Sequence, residues 1–265
     1  MSKAVRPKKH LGQHFLTDLN IAQKIASTLT YKDYNIVIEV GPGTGVLTQF
    51  LLKKPNPLYV FEVDPESVAH LQAHFKAHPH LEIFPTDFLK APLDTITQNQ
   101  AFAITGNFPY NISSQIVFKL LDYVALVPEF TGMFQKEVAE RICQPKGTKQ
   151  YGILSVLVQA YYTTQYLFTV PPQVFNPPPK VDSGVLRLQR KPNYKLRCSE
   201  ILFKKIVKMA FQQRRKTLRN SLKALPIPEK LKEDSIFGQR PEQLSAEDFI
   251  GLTQKLEQHA ISTHH

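Results

Sequence analysis

Apolar and polar positions alternate in two rhythms through the first two-thirds of this chain. Short continuous apolar runs occupy 36–40, 58–63, 81–84 and 101–105, the length and character of strands buried on both faces. Between them lie stretches with helical spacing. These are 46–54, 65–78 with Pro65 at its first turn, and 113–123, where Ile116 and Leu120, then Val117 and Leu121, recur four apart. Strand and helix in alternation predict an α/β fold, a mainly parallel sheet covered by helices on both faces.

The rhythm breaks at 171–179, where five of nine residues are proline. Taken alone, that composition reads as a stiff linker or rim loop. A strand-like run follows at 184–188, and from Ser199 onward strand signals fade. Leu202, Ile206 and Met209 line one helical face while Lys204, Lys205 and Lys208 gather on the other. The pattern predicts an α/β domain over 1–190 and a small helical domain over 191–265. No internal repeat is visible.

A length of 265 residues suits one large domain with a small one beside it, and 42% hydrophobic content supports a true core. Charge changes the picture more. Lys and Arg number 33 against 22 Asp and Glu, a net +11, which favours a polyanionic partner, nucleic acid or an acidic membrane face. Membrane is the weaker option, because no apolar run approaches the roughly 20 residues of a spanning helix. The basic N-terminus (Lys3, Arg6, Lys8, Lys9) has no apolar signal core behind it. Cys143 and Cys198 form neither a disulfide framework nor a zinc spacing. A cytoplasmic protein without a metal is expected.

Candidate chemistry gathers at the ends of the predicted strands. Gly41, Gly43 and Gly45 sit where the first strand gives way to a helix, and glycine there permits positive φ and close backbone approach to a ligand. The spacing is G-x-G-x-G, not the dinucleotide G-x-G-x-x-G, so NAD is not the first choice. Alone, such a turn is as often a tight connection as a cofactor site. Two acids shift that balance. Glu62 lies 21 residues after Gly41 at the end of the second strand, where a carboxylate can accept from both ribose hydroxyls. Asp87 follows the third strand, placed to accept from an adenine amine. Asp64 reads as the cap of the helix that begins at Pro65.

Asn107-Phe108-Pro109-Tyr110 follows the fourth strand. An adenine amine is a poor nucleophile because its lone pair is delocalised into the ring. Two acceptors, the Asn107 side-chain oxygen and a backbone carbonyl such as that of Pro109, can take its two N–H groups and aim the lone pair at a sulfonium methyl. Tyr110 offers a face for the base. No strong general base is needed, so catalysis is alignment and desolvation. The sequence therefore predicts methyl transfer from S-adenosylmethionine to adenine.

With those residues in place, nearly the whole chain resembles the ribosomal RNA adenine N6,N6-dimethyltransferase family, with its Rossmann-like class I methyltransferase sheet and all-helical C-terminal domain. The resemblance runs through Lys9–Leu16, 39–48, Phe61-Glu62-Val63-Asp64, Thr86-Asp87-Phe88, 107–113, 134–139, 171–185 and the run Gln213-Arg214-Arg215-Lys216-Thr217-Leu218-Arg219, which resembles the family's basic C-terminal helix. It implies cofactor contacts from His14, Leu16, Gly41, Glu62, Asp87 and Asn107, to which the glycine turn adds Gly43. It implies a target adenine held by Asn107, Pro109 and Tyr110, with Phe175 stacking on the other face, so that 171–179 becomes a site wall and not a linker. The family dimethylates two adjacent adenosines in the 3′-terminal hairpin of small-subunit rRNA during 30S assembly. Two positions depart from its commonest pattern. His14 stands where Asn is usual, and Phe108 replaces Leu or Ile, a larger residue that bears on the room for an already methylated amine.

Between Lys204 and Lys223 lie eight basic residues, Lys204, Lys205, Lys208, Arg214, Arg215, Lys216, Arg219 and Lys223, and no acidic one. Charge runs usually mark a solvated face. In a +11 protein with a base-accepting site, phosphate contact is the better reading, with the target base unstacked from a loop of a small-subunit particle. A monomer is expected. The rival readings are a large-subunit rRNA methyltransferase of the antibiotic-resistance type and a non-catalytic ribosome-assembly factor. The second expects a damaged glycine turn or a lost Asn-x-Pro-Tyr, and neither is damaged here.

Overall fold

A computed structural model describes residues 5–262, with side chains to His259. The chain divides into two compact units. One holds the residues up to Ala139 together with Thr164–Arg190, the other Glu140–Thr163 together with the residues from Lys191 onward. Residues 140–163 thus group with the second unit, whereas the pattern-based division kept them in 1–190.

The first unit is built on a seven-stranded sheet. Its strands are β2 (Ile36–Val40), β3 (Leu58–Phe61), β4 (Leu81–Phe84), β5 (Phe102–Thr105), β6 (Glu129–Gln135), β7 (Tyr162–Val170) and β9 (Ser183–Arg190), in the order β4-β3-β2-β5-β6-β9-β7. The five from β4 to β6 in that order are parallel, and β9 returns antiparallel to β6. Two two-residue strands, β1 (Phe15–Leu16) and β8 (Phe175–Asn176), form a separate antiparallel pair. Every residue of β2 and β5 is buried, which is why their runs are continuously apolar apart from Glu39 and Thr105. β6 and β7, with α7 (Ile153–Tyr161), were not among the expected elements.

Topology matters for function at one place. β5 lies beside β2, with Glu39 in register with Thr105, and not beside β4, the strand that precedes it in sequence. The sheet therefore reverses its winding between β2 and β5, and ligands of open α/β sheets bind outside the strand ends at such a point. The glycine turn leaves β2 there, and Asn107 leaves β5 beside it.

The connecting helices are α1 (Leu19–Ala26), α2 (Thr48–Leu51), α3 (Pro65–Phe75), α4 (Leu93–Ile96), α5 (Ser113–Asp122) and α6 (Lys136–Cys143). Asp18 caps α1 by accepting from the Asn20 and Ile21 N–H groups, and Asp64 caps α3 with Pro65 at its first position.

The second unit is helical, formed by α7 with α8 (Glu200–Gln212), α9 (Leu218–Ser221), α10 (Glu229–Lys232) and α11 (Ala246–Ser262). On α8 the buried stripe is Phe203, Ile206, Val207 and Ala210. Leu202 and Met209, expected in that stripe, are only partly covered at its flanks. No helix among the described residues is long and apolar enough to cross a membrane.

Candidate active site

The turn after β2 is held open by glycine. Gly41 and Gly43 have φ of 67° and 56°, in the left-handed region that side chains disfavour. At Gly43 space adds to conformation, because a Cβ there would stand 2.8 Å from the Phe15 ring. The N–H of Gly43 donates to Glu62 Oε2 at 3.0 Å, and the N–H groups of Val63 and Asp64 donate to Oε1 at 2.9 Å each. Burial pushes the Glu62 carboxyl up, against these three backbone bonds that pull it down. A carboxylate has about four acceptor sites. Glu62 thus ties the glycine turn to the end of β3 and retains acceptor capacity on the cavity side.

Under the turn, Glu39 is buried and accepts the Thr48 hydroxyl at 2.7 Å. Burial, with a smaller contribution from the Glu62 charge, pushes it up to about 8 although the Thr48 bond opposes this.

A cavity of about 330 Å³ opens at the winding reversal. Gly41, Gly43, Glu62 and Asp87 line it, as do the apolar faces of Val40, Phe61, Phe88 and Ile112. Asp87 spends Oδ1 on the Leu89 N–H at 2.9 Å, which makes it a turn residue and a wall residue at once. From the N-terminal segment Leu11, Gln13 and Phe15 face the cavity, and from the loop after β5 Pro109, Asn111 and Ile112. Close backbone at Gly41 and Gly43, an acid where a ribose would lie and a second acid beyond an apolar slab fit an adenosine-bearing cofactor.

Not every expected residue takes part as expected. Leu16 is buried in the core and pairs with Phe175 across β1 and β8. The extended backbone alternates its side chains, so Gln13 and Phe15 face the cavity while Leu16 faces the core. His14 turns its Nδ1 to the Pro177 carbonyl at 2.7 Å; a carbonyl only accepts, so Nδ1 carries the proton. The His14 carbonyl in turn accepts from Asn107 Nδ2 at 2.9 Å. His14 therefore enters the site through its backbone and its ring stacking, and not as a lining side chain of the cavity.

Asn107 is fixed from two sides. Its backbone is stitched to β6, where Phe108 N–H donates to Met133 O at 3.1 Å and Met133 N–H to Gly106 O at 3.0 Å. Its side-chain N–H₂ is committed to His14, so the amide oxygen is the end left to accept. The Pro109 carbonyl takes the Ile112 N–H at 3.2 Å and keeps a second lone pair.

Tyr110 bonds Ser183 through its hydroxyl, and burial raises its pKa. The His14 imidazole stacks on its ring at 5.4 Å with planes 30° apart. Phe175, expected to stack on the base, is 4% exposed and packed in the hydrophobic core. Phe108 is buried too. It packs on Phe130 and Phe134 at 5.1 and 4.9 Å, over the place where Gly132 lacks a side chain. The extra bulk at 108 is absorbed there and does not narrow the cavity.

The eight basic residues of the 204–223 run all belong to the second unit. The segment 213–217 is a turn between α8 and α9, and not the expected basic helix. Arg214 is spent on the Thr148 carbonyl at 3.1 Å and Arg219 on the Lys232 carbonyl at 2.9 Å. Lys205, Lys208, Arg215, Lys216 and Lys223 are exposed to solvent.

Sheet order, glycine turn and strand-end acids together define a class I S-adenosylmethionine-dependent methyltransferase. Residues 4–254 match the family model described as ribosomal RNA adenine dimethylase, and the chain belongs to that family. It is 59% identical to ribosomal RNA small subunit methyltransferase A of Flavobacterium johnsoniae over 98% of this chain and 99% of that one. The protein of the same name from Bacteroides fragilis is 58% identical, over 97% and 94%. Among solved structures, a dimethyladenosine transferase from Plasmodium falciparum superposes with a TM-score of 0.79 at 26% identity, covering 92% of this chain and 98% of that one. The 23S rRNA methyltransferase ErmE gives 0.68 at 26% identity, covering 91% and 99%.

Proposed function

We propose that this enzyme transfers methyl groups from S-adenosylmethionine to N6 of two adjacent adenosines in the 3′-terminal hairpin of small-subunit rRNA, two to each. The observation that carries the proposal is the orientation of Asn107. Its N–H₂ end is tied to the His14 carbonyl, so its oxygen is the end left to accept, on the same loop that puts Pro109 into the cavity wall. When bound, the cofactor supplies an electrophilic methyl on sulfonium and leaves as a neutral thioether.

What the protein supplies is position. Gly41 and Gly43 admit the cofactor close to backbone, Glu62 accepts from its ribose, and Asp87 lies where its adenine amine would donate. The Asn107 oxygen and the Pro109 carbonyl accept the two N–H groups of the target amine, turning its lone pair out of conjugation. The first transfer leaves the nitrogen cationic; it releases one proton to solvent, one N–H remains, and one acceptor still holds it for the second. Such alignment is worth several kcal/mol without any general base. The dimethylated product is neutral once the nitrogen has released its proton to solvent.

Exposed lysines and arginines of the second unit, Lys205, Lys208, Arg215, Lys216 and Lys223, supply the phosphate contacts. The proposed setting is the cytoplasm, acting as a monomer on an immature 30S particle. The small-subunit assignment is supported by relatives of that name at 58–59% identity. The test offers labelled cofactor with immature 30S or with 50S particles, then digests the rRNA to nucleosides. Dimethyladenosine in the 30S arm is the expected result. Label confined to 50S rRNA, or to bases other than adenine, would refute the proposal.

A further inference from the structure

Residues 8–16 cross the cavity and contribute Leu11, Gln13 and Phe15 to its wall. The far end of this segment is held by main chain. β1 pairs with β8, the Thr17 N–H donates to Val174 O at 2.8 Å, and His14 bonds the Pro177 carbonyl. The near end is held differently. Lys8 Nζ bonds the fully buried Asp64 side chain and reaches Glu66 Oε1 at 3.3 Å. The Lys8 N–H also donates to Gln13 Oε1 at 2.8 Å, and the Leu11 N–H returns to Lys8 O at 3.1 Å.

The place where Lys8 lands is informative. Asp64 follows Glu62 by two residues, and its own N–H is one of the three that hold the Glu62 carboxylate. One ion pair thus joins the segment covering the cavity to the turn that carries the ribose-facing acid. We infer that Lys8 is the latch of this segment: its pairing with Asp64 and Glu66 holds residues 8–13 closed over the cofactor and governs how fast the cofactor and its demethylated product leave.

The two sides of the pair explain why it can latch and also release. Asp64 is buried, so withdrawal of its cation leaves a carboxylate short of compensation, which favours closure. Lys8 is 28% exposed and Glu66 55%, so water can take over the ammonium, as in surface pairs of small net worth. Dimethylation of two adenosines needs four donors, and spent product must be exchanged between transfers. A cover that opens is therefore part of the cycle.

The inference rests on the proposal that S-adenosylmethionine fills this cavity, and its test keeps the two apart. Lys8→Met retains the aliphatic stem and removes the charge, while Lys8→Arg retains the charge. Affinity for S-adenosylmethionine and S-adenosylhomocysteine is measured by calorimetry and release by stopped-flow displacement. Hydrogen exchange is followed at the amides of 9–16 in ligand-free protein. Lys8→Met should release both ligands several-fold to about tenfold faster and weaken them by a similar factor. KM for the cofactor should rise with it and kcat change much less. Exchange should accelerate at 9–13 and stay slow at 14–16, where β1 holds the chain. Lys8→Arg should behave like the parent. In 1 M salt the parent should shift only part of the way towards Lys8→Met, because the Glu66 arm is exposed to screening and the buried Asp64 arm is not.

Parental release rates in Lys8→Met would overturn the latch, and so would Lys8→Arg behaving like Lys8→Met. A parent protein that binds neither ligand would instead overturn the cofactor assignment, and the latch with it.

Discussion

The two halves of the active site are built on different terms. On the cofactor side, backbone does the organising. Three main-chain N–H groups grip Glu62, two glycines hold left-handed conformations, and Asp87 is set by its own turn. On the proposed base side, the side chains are engaged with one another. His14 covers a face of Tyr110, the Tyr110 hydroxyl is tied to Ser183, and Phe175 lies in the core. A preorganised half binds without rearrangement and loses little on ordering. A half closed by its own side chains must exchange those contacts for contacts with RNA. On the assignment proposed above, the cofactor half stands ready before substrate arrives and the base half is completed by RNA.

The largest effect should come from the one base-side group that is already fixed. Asn107→Ala removes the amide oxygen, and removing a single oriented hydrogen-bonding group from a transition state commonly costs about 100-fold or more in rate. Single-turnover methylation of immature 30S particles should fall by about that factor. Calorimetric affinity for S-adenosylmethionine should fall far less. If both fall together, Asn107 belongs to the cofactor half, and the two halves share it.

Next in size is a defect on the cofactor side. Gly43→Ala forces a side chain into a left-handed backbone position and against the Phe15 ring. Strain of that kind costs about 1–3 kcal/mol, so affinity for S-adenosylmethionine should drop by roughly five- to 150-fold. RNA binding, read by filter retention, should be unchanged. Parental cofactor affinity in this variant would mean that the turn can move, and that the cofactor half is not preorganised.

How much of this contrast could be read from sequence follows from what each feature depends on. β2 and β4 were legible to the residue because a continuous apolar run of strand length is a local signal. Glu62 and Asp87 were legible because strand ends recur at a common rim. The adjacency of β5 to β2 was not, since periodicity carries no information about strand order. β6 was missed because Thr131 and Gly132 interrupt its apolar run, although all but its last residue are buried. The expected basic helix at 213–219 is instead a turn over 213–217 that leads into α9. The burial of Phe175 was not legible for a similar reason: it depends on two-residue strands pairing across more than 150 positions, a purely tertiary fact. Backbone-organised features tend to be written locally, and side-chain-filled ones do not.

A third expectation concerns the acid beneath the glycine turn. In the unfolded chain Glu39 titrates near 4.5, and in the folded protein it is pushed up to about 8, chiefly by burial. Between those values the folded state holds a proton that the unfolded state has released. The stability linked to that proton is therefore complete below about 4.5 and is lost as pH climbs towards about 8, on the order of a few kcal/mol in all. Glu39→Gln keeps an acceptor for Thr48 and cannot ionise. Denaturant unfolding at pH 5 and pH 8 should show the parent losing more stability across this interval than the variant. Glu62, also raised by burial, contributes in the same direction to both proteins and cancels from the comparison. Parallel losses would show that Glu39 is not desolvated and that the cofactor half rests on something other than a neutral acid.

The smallest effect should come from Phe175, and it is the sharpest test of the base half. If the ring stays in the core against Leu16, Phe175→Leu is a volume-reducing hydrophobic swap costing about 1 kcal/mol of stability, visible as a lower Tm. The single-turnover rate on immature 30S particles should then stay within about threefold of the parent, under 1 kcal/mol. If the ring instead swings out to sandwich the adenine, the variant forfeits base–aromatic stacking, worth about 1–3 kcal/mol. The rate or RNA affinity would then fall roughly five- to 150-fold, more than the loss of Tm could account for. That second result would mean that β1 and β8 unpair when RNA binds. The base half would then be remade by substrate more deeply than the exchange of His14 for a base on Tyr110 requires.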